Sequence, residues 1–185
     1  YDIAFHVKNF NGDIVMVRGS NPSGHAITVV INCFINSIYM RYTFCILHPR
    51  YNIALEIKQL IEITRIFKSV VKLLTYGDDN IQDVKKTIPW YNHTTISQAL
   101  ASIGVTYTMA DKDAESIPYI TMKECSFLKR TWVFDHKFEA YMAPLEEESI
   151  VKSLTVWVPS RSIPVEMQFV AVCASACFEY WYCGE

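Results

Sequence analysis

The chain has 185 residues, 51% of them hydrophobic and 19% charged, with a formal net charge of −2. That composition excludes a disordered or low-complexity protein and supplies enough apolar side chains for a packed core. A net charge this near zero gives no global attraction to nucleic acid or anionic membrane, so any such contact must be local.

The chain opens as a hairpin. Residues 3–10 and 13–18 are strand-like and Asn11-Gly12 is a strong two-residue turn signal. After the break at 19–24 an apolar helix is expected over about 25–45, ended by His48-Pro49. A second helix covers about 53–68, with Ile53, Ile57, Leu60, Ile61, Thr64 and Phe67 at the helical period. Residues 69–76 form a strand, 77–80 a turn, and a short return strand follows. A third helix spans about 95–103, with Thr95 and Gln98 at capping-box spacing and Gly104 as its stop. Residues 105–109 read as a strand and 110–114 as a polar turn. Two more strands flank Phe127–Arg130 and run to about Tyr141. Pro144 opens an acidic helix, and 165–182 form a last helix. The mixed order of hairpins and helices argues for an α+β fold, with a composition shift near residue 143.

The six cysteines have no regular spacing and are expected to be reduced and mostly buried. Cys173 and Cys177 share a helix face, but no further Cys or His falls at a zinc spacing. The stretch 26–47 is long and apolar enough to raise a membrane span, yet it carries Asn32, Asn36 and Arg41. It reads as a buried helix of a soluble fold, without an integral membrane segment.

Four constellations carry chemistry. In Tyr76-Gly77-Asp78-Asp79 a strand delivers two adjacent carboxylates to a tight turn. Hard divalent cations take carboxylate oxygens, and two such cations suit phosphoryl transfer. The apolar run before the turn places the pair at the end of a buried strand, where bare carboxylates are costly. Thr28, Asn32 and Asn36 recur every four residues along the long helix as one polar stripe, fit either for bonding to a neighbouring helix or for a sugar hydroxyl. Ser23 and Gly24 lie at its N-terminus, where backbone N–H groups favour an anion. Gly19 and Gly24 have phosphate-loop spacing, but His25 and Ala26 replace the required Lys and Ser/Thr, which excludes that reading. Lys112 sits at a loop tip, either a solvated charge or a proton donor to a leaving pyrophosphate. Phe127-Leu128-Lys129-Arg130 pairs two apolar residues with two cations at a hairpin edge.

Taken in order, these strings resemble the RNA-dependent RNA polymerases of picorna-like positive-strand RNA viruses, with the dicistrovirus and iflavirus branches nearest. Ser23-Gly24, Thr28 and Asn32 are similar to motif B, Leu74–Asn80 to motif C, Thr95–Gly104 with Thr106–Lys112 to motif D, and Phe127–Arg130 to motif E. The resemblance implies a right-hand polymerase: part of a palm over 1–142, an antiparallel sheet with packed helices, then the start of a helical thumb over 143–185. It implies RNA-templated nucleotidyl transfer from NTPs to an RNA 3′ end with Mg²⁺ or Mn²⁺. By the same resemblance Asp78 and Asp79 bind metal, and Lys112 is the general acid. Asn32 reads the ribose with Thr28, and Ser23 and Gly24 line the nucleotide. Leu128, Lys129 and Arg130 steady the primer. The implied partners are RNA template and primer, NTPs and other viral replication proteins, in membrane-associated replication complexes of the host cytoplasm. No DxxxxD string of motif A precedes residue 23, and the basic fingers are missing. The chain thus reads as an internal fragment, and the 185 residues alone are expected to be inactive. A reverse-transcriptase palm and a palm-like assembly module without chemistry are the alternatives.

Overall fold

The computed structural model describes residues 5–10, 12–18, 27–51, 56–156 and 158–182. The chain forms two compact units, residues 1–107 and 108–185. Helices and three separate two-stranded antiparallel sheets alternate among the described residues, as an α+β reading requires.

The first unit opens on the expected hairpin. Strand β1 (Phe5–Phe10) pairs antiparallel with β2 (Asp13–Arg18), and Phe10 lies opposite Asp13. Gly12 has φ +98°, a conformation that a side chain disfavours, which is why the turn needs glycine there.

Helix α1 (Thr28–Leu47) packs against α2 (Ile57–Val70), strand β3 (Val71–Tyr76) and helix α3 (His93–Ala101). Its inner face is Asn36, Met40, Thr43, Phe44 and Cys45. The expectation of a helix buried on most sides is not met. Val30, Phe34 and Ile38, spaced four apart, form an exposed apolar stripe, because α2, α3 and β3 all cover the other face. This helix is long and apolar enough to cross a membrane by length and composition, yet its amide-bearing face packs inside the unit.

Helix α2 begins with a capping box, the Glu56 backbone N–H donating to Gln59 Oε1 at 3.0 Å. Its buried seam is Leu60, Ile63, Phe67 and Val70. Leu60 and Phe67 of the expected seam face the core, but Ile57 is 75% exposed and Ile61 is also outside. Ile63 and Val70 take their places, on the side of α2 that Phe67 presents to the aromatic core. Ile53 lies outside the described residues.

Phe44 anchors that core. It meets Phe67 and Tyr91 edge-on at centroid distances of 5.2 and 5.3 Å, geometries that add to area burial. Tyr91 is fully buried and donates its hydroxyl to the Met40 carbonyl at 2.9 Å, so its polar end is satisfied. Burial pushes the Tyr91 hydroxyl well above its ordinary range.

Strand β3 pairs antiparallel with β4 (Asp79–Val84), with Tyr76 opposite Asp79. Helix α3 starts two residues earlier than expected. Its cap is Asn92, whose side chain accepts from the Thr95 N–H at 3.1 Å while Thr95 Oγ1 accepts from the Asn92 N–H at 3.1 Å. Asn92, the better cap, outcompetes Thr95, which serves as the third helical residue instead. Gly104 ends the segment with φ +78°, as expected. Residues 105–109 are not a strand; no neighbouring strand offers them a ladder among the described residues.

The second unit contains β5 (Val133–Asp135) paired with β6 (Ala140–Met142), then α4 (Glu147–Thr155) and α5 (Val165–Tyr182). Both strands follow Phe127–Arg130 rather than flank it. That tetrapeptide is instead a tight bridge of its own, closed by mutual hydrogen bonds between Phe127 and Arg130 at 3.0 and 3.1 Å. Glu147 and Glu148 occupy the first turn of α4, where the helix dipole favours negative charge. The five described cysteines are free thiols, but only Cys45 is buried.

Candidate functional site: a carboxylate turn held by a helix amide

The turn between β3 and β4 is two residues long, Gly77 and Asp78, with Asp79 already the first residue of β4. Gly77 has φ +61°, and glycine at the first position of such a loop lets the strands reverse without steric penalty. Asp78 and Asp79 are exposed. The expectation that they end a buried strand is not met, since Leu74 and Tyr76 on the outer face of β3 are exposed too. The reason is topological: β3 and β4 pair only with each other among the described residues, so one face of the hairpin has no cover.

The inner face of the hairpin is held by α1. Asn36 is 6% exposed, and its side-chain Nδ2 lies 2.6 Å from the Asp78 carbonyl, 3.2 Å from that of Asp79 and 3.5 Å from that of Gly77. One helical turn earlier, Cys33 Sγ accepts the Gly77 N–H at 3.1 Å, and the thiol faces the Thr75 carbonyl at 3.7 Å. The two residues thus bind the turn by both kinds of backbone group.

A relay of hydrogen bonds stands behind Asn36. Asn80 Nδ2 donates to Asn36 Oδ1 at 3.0 Å, and the Tyr107 hydroxyl donates to Asn80 Oδ1 at 2.9 Å. Gln82 Nε2 also donates to Asn80 Oδ1, at 3.2 Å. Carbonyls only accept, so the turn fixes which end of the Asn36 amide faces it. Burial raises the Tyr107 hydroxyl pKa, partly offset by its bond to Asn80, so it stays a donor.

The polar stripe therefore meets the carboxylate turn, but through Asn36. Thr28 and Asn32 sit half-buried two turns and one turn before it on α1. Ser23 and Gly24 lie outside the described residues. Nothing local in the sequence ties Asn36 to the turn or marks Cys33, Asn80 and Tyr107 as its partners. The available signal was the four-residue period, which extends one step beyond Asn32.

Two adjacent hard carboxylates on an exposed turn fit a Mg²⁺ or Mn²⁺ ion, which takes one or two protein carboxylates and fills its shell with water and substrate oxygens. No group of three His, Cys, Asp or Glu side chains able to hold a metal occurs among the described residues, so these two carboxylates do not by themselves make a complete metal site.

In the second unit, Lys112 is exposed on the polar turn that the sequence predicts, where the Asp113 N–H donates to Asp111 Oδ1 at 3.1 Å. The Phe127–Arg130 bridge carries Leu128 at φ +55° and Lys129 at φ +62°, two non-glycine residues in the left-handed region. Each costs about 1–2 kcal/mol. The surroundings impose that shape. The Glu146 N–H donates to the Lys129 carbonyl at 2.8 Å, and the Thr131 N–H donates to the Pro144 carbonyl at 3.1 Å. Arg130 is turned toward α5, where its guanidinium grips Glu179, and it also donates to the Ala143 carbonyl at 2.7 Å. Leu128 and Lys129 are the exposed members of the turn.

The chain matches the family of viral RNA-dependent RNA polymerases over residues 6–175. It is 30% identical over 166 residues to the replicase polyprotein of Cricket paralysis virus, covering 89% of this chain and 9% of that polyprotein. It is 32% identical over 145 residues to the replicase polyprotein of Acute bee paralysis virus, covering 76% and 8%. It is 37% identical over 152 residues to the RNA1 polyprotein of Cycas necrotic stunt virus, covering 79% and 6%. The chain spans less than a tenth of the length of these curated relatives. A match that runs through the helix, the carboxylate turn and the basic turn alike makes this chain a member of the viral RNA-dependent RNA polymerase family.

Proposed function

We propose that the whole protein containing this chain copies a viral RNA genome, joining NTPs to an RNA 3′ end on an RNA template, and that Asp78 and Asp79 hold its catalytic cations. The observation that carries this reading is the exposed Asp78–Asp79 turn, held from below by α1, in a chain of the polymerase family. Bound Mg²⁺ or Mn²⁺ would supply charge stabilisation for phosphoryl transfer and activation of the attacking hydroxyl. Within this reading Asn32, with Thr28, contacts the ribose 2′-hydroxyl, Ser23 and Gly24 line the nucleotide, and Lys112 protonates the leaving pyrophosphate. Leu128 and Lys129 support the primer strand, with Arg130 bracing their turn. Residues 1–142 would then be palm and 143–185 the beginning of a thumb.

The same reading makes the 185 residues inactive alone, because the motif A aspartates and basic fingers that it calls for belong to the rest of the whole protein. The working enzyme partners with template, primer and other replication proteins on membranes of the host cytoplasm. Extension of a primed RNA by the complete polymerase tests the proposal. Chelation of divalent ions should stop extension and added Mg²⁺ should restore it, with NTPs preferred over dNTPs. Asn32→Ala should erode that sugar preference. Extension insensitive to chelation, or a preference for dNTPs, would contradict the reading.

A further inference from the structure

We propose that Asn36 is a positioning residue for the carboxylate turn, acting through the backbone of Gly77, Asp78 and Asp79, with Asn80 and Tyr107 as its support. The inference rests on the reading of Asp78 and Asp79 as cation ligands and adds to it the group that sets their geometry.

The argument starts from cost. A buried amide is expensive unless its polar atoms are bonded, and helix packing alone needs none. Asn36 nevertheless aims its amide out of α1 at a loop on another element, within 3.5 Å of three successive carbonyl oxygens. Two amide hydrogens shared among three acceptors hold those carbonyls together on the inner side of the turn. Left alone, the oxygens would repel one another and turn outward to water. Carbonyl oxygens are also hard ligands, so engaging them on α1 leaves the carboxylates as the donors the turn offers to a cation.

The orientation of the amide is itself determined. Asn80 Nδ2 donates to Asn36 Oδ1, and Asn80 is held by the Tyr107 hydroxyl. All donors run the same way, from Tyr107 to Asn80 to Asn36 to the turn, an arrangement in which each bond polarises the next. Cys33, accepting the Gly77 N–H, closes the other side of the cradle. Gly77, at φ +61°, has the conformational freedom that would otherwise let the turn drift.

The test uses the complete polymerase carrying Asn36→Leu, which keeps volume without a donor, and Tyr107→Phe, which removes one hydroxyl. Three quantities are read: Mn²⁺ binding to the RNA-free enzyme by electron paramagnetic resonance, amide hydrogen exchange at 77–80, and extension kinetics. Asn36→Leu should weaken Mn²⁺ binding by about tenfold and lower kcat by about tenfold to a hundredfold, as a displacement near 1 Å does. Exchange at 77–80 should quicken by about tenfold, with primer–template Kd within about twofold of wild type. Tyr107→Phe should move the same readouts less, and the double variant should be no worse than Asn36→Leu alone. Should Asn36→Leu fail to fold, Tyr107→Phe still decides: unchanged Mn²⁺ binding and exchange overturn the proposal. An Asp78→Ala enzyme serves as reference. If it is inactive while both other variants match wild type, the positioning role fails and the metal reading stands. If Asp78→Ala extends RNA normally, the metal reading itself fails.

Discussion

Arg130 and Glu179 form a two-pronged ion pair, with guanidinium Nη1 and Nη2 at 2.9 and 2.6 Å from the two carboxylate oxygens. The pair joins the strained Phe127–Arg130 turn to α5, forty-nine residues further along the chain. Paired geometry of this kind is stronger and more directional than a single surface contact.

A pH dependence follows. Hydrogen bonds from Arg130 hold the Glu179 carboxyl below its ordinary value. The unfolded chain therefore takes up this proton at a higher pH than the folded one. The stabilisation is fully present above the ordinary carboxylate value and is lost as pH falls through the lower folded value. We expect the thermal midpoint to decline as pH falls below the ordinary carboxylate value. Glu179→Gln should flatten that part of the profile, as midpoints measured across the range will show.

Strain at the same turn gives a second expectation. Lys129 pays for a left-handed backbone and gains only an exposed contact with Glu146 at 3.4 Å. Lys129→Gly should be neutral or stabilising by up to about 1 kcal/mol, because glycine relieves the φ penalty and the lost ion pair is worth little. Denaturant unfolding measures this, and destabilisation beyond about 1 kcal/mol would show that the Lys129 contact matters more than its backbone. If Lys129 also supports primer, the stable variant should lose primer affinity.

The aromatic core sets a third. Phe44 is fully buried between Phe67, Trp90 and Tyr91. Phe44→Ala should cost about 3–5 kcal/mol through lost burial and the cavity left behind. Equilibrium unfolding of the variant checks it.

These positions also show what the sequence carried. The glycine turns at Gly12, Gly77 and Gly104 and the last helix at 165–182 were legible because turn chemistry and helical period are local properties. The adjacent carboxylates were legible for the same reason. The buried seam of α2 was not, since choosing between Ile57 and Ile63 depends on where Phe44 lies. The strand read at 105–109 failed because a strand needs a neighbour, which no local pattern reveals. Asn36 shows the middle case. Its period marked it as part of the polar stripe with Thr28 and Asn32, but the turn it holds lies about forty residues away, and only packing brings the two together.

Gly77 supplies a fourth expectation. A Cβ added there meets nothing within 4 Å, so Gly77→Ala is penalised through its backbone alone. We expect a stability loss of about 1–2 kcal/mol without a clash. Extension by the complete polymerase should fall further than that loss explains, since the turn would relax toward negative φ and carry Asp78 with it. Unfolding curves and extension rates on one preparation separate the two effects.

The most direct measurement is single-turnover extension of a primed RNA by the complete polymerase carrying Asp78→Asn, across a Mg²⁺ titration. The substitution keeps size and removes the charge. We expect the chemical step to slow by at least about a thousandfold, the scale of several kcal/mol of lost transition-state stabilisation. RNA binding should persist. An Asp78→Asn enzyme that extends RNA at the wild-type rate and with the wild-type Mg²⁺ dependence would contradict the account.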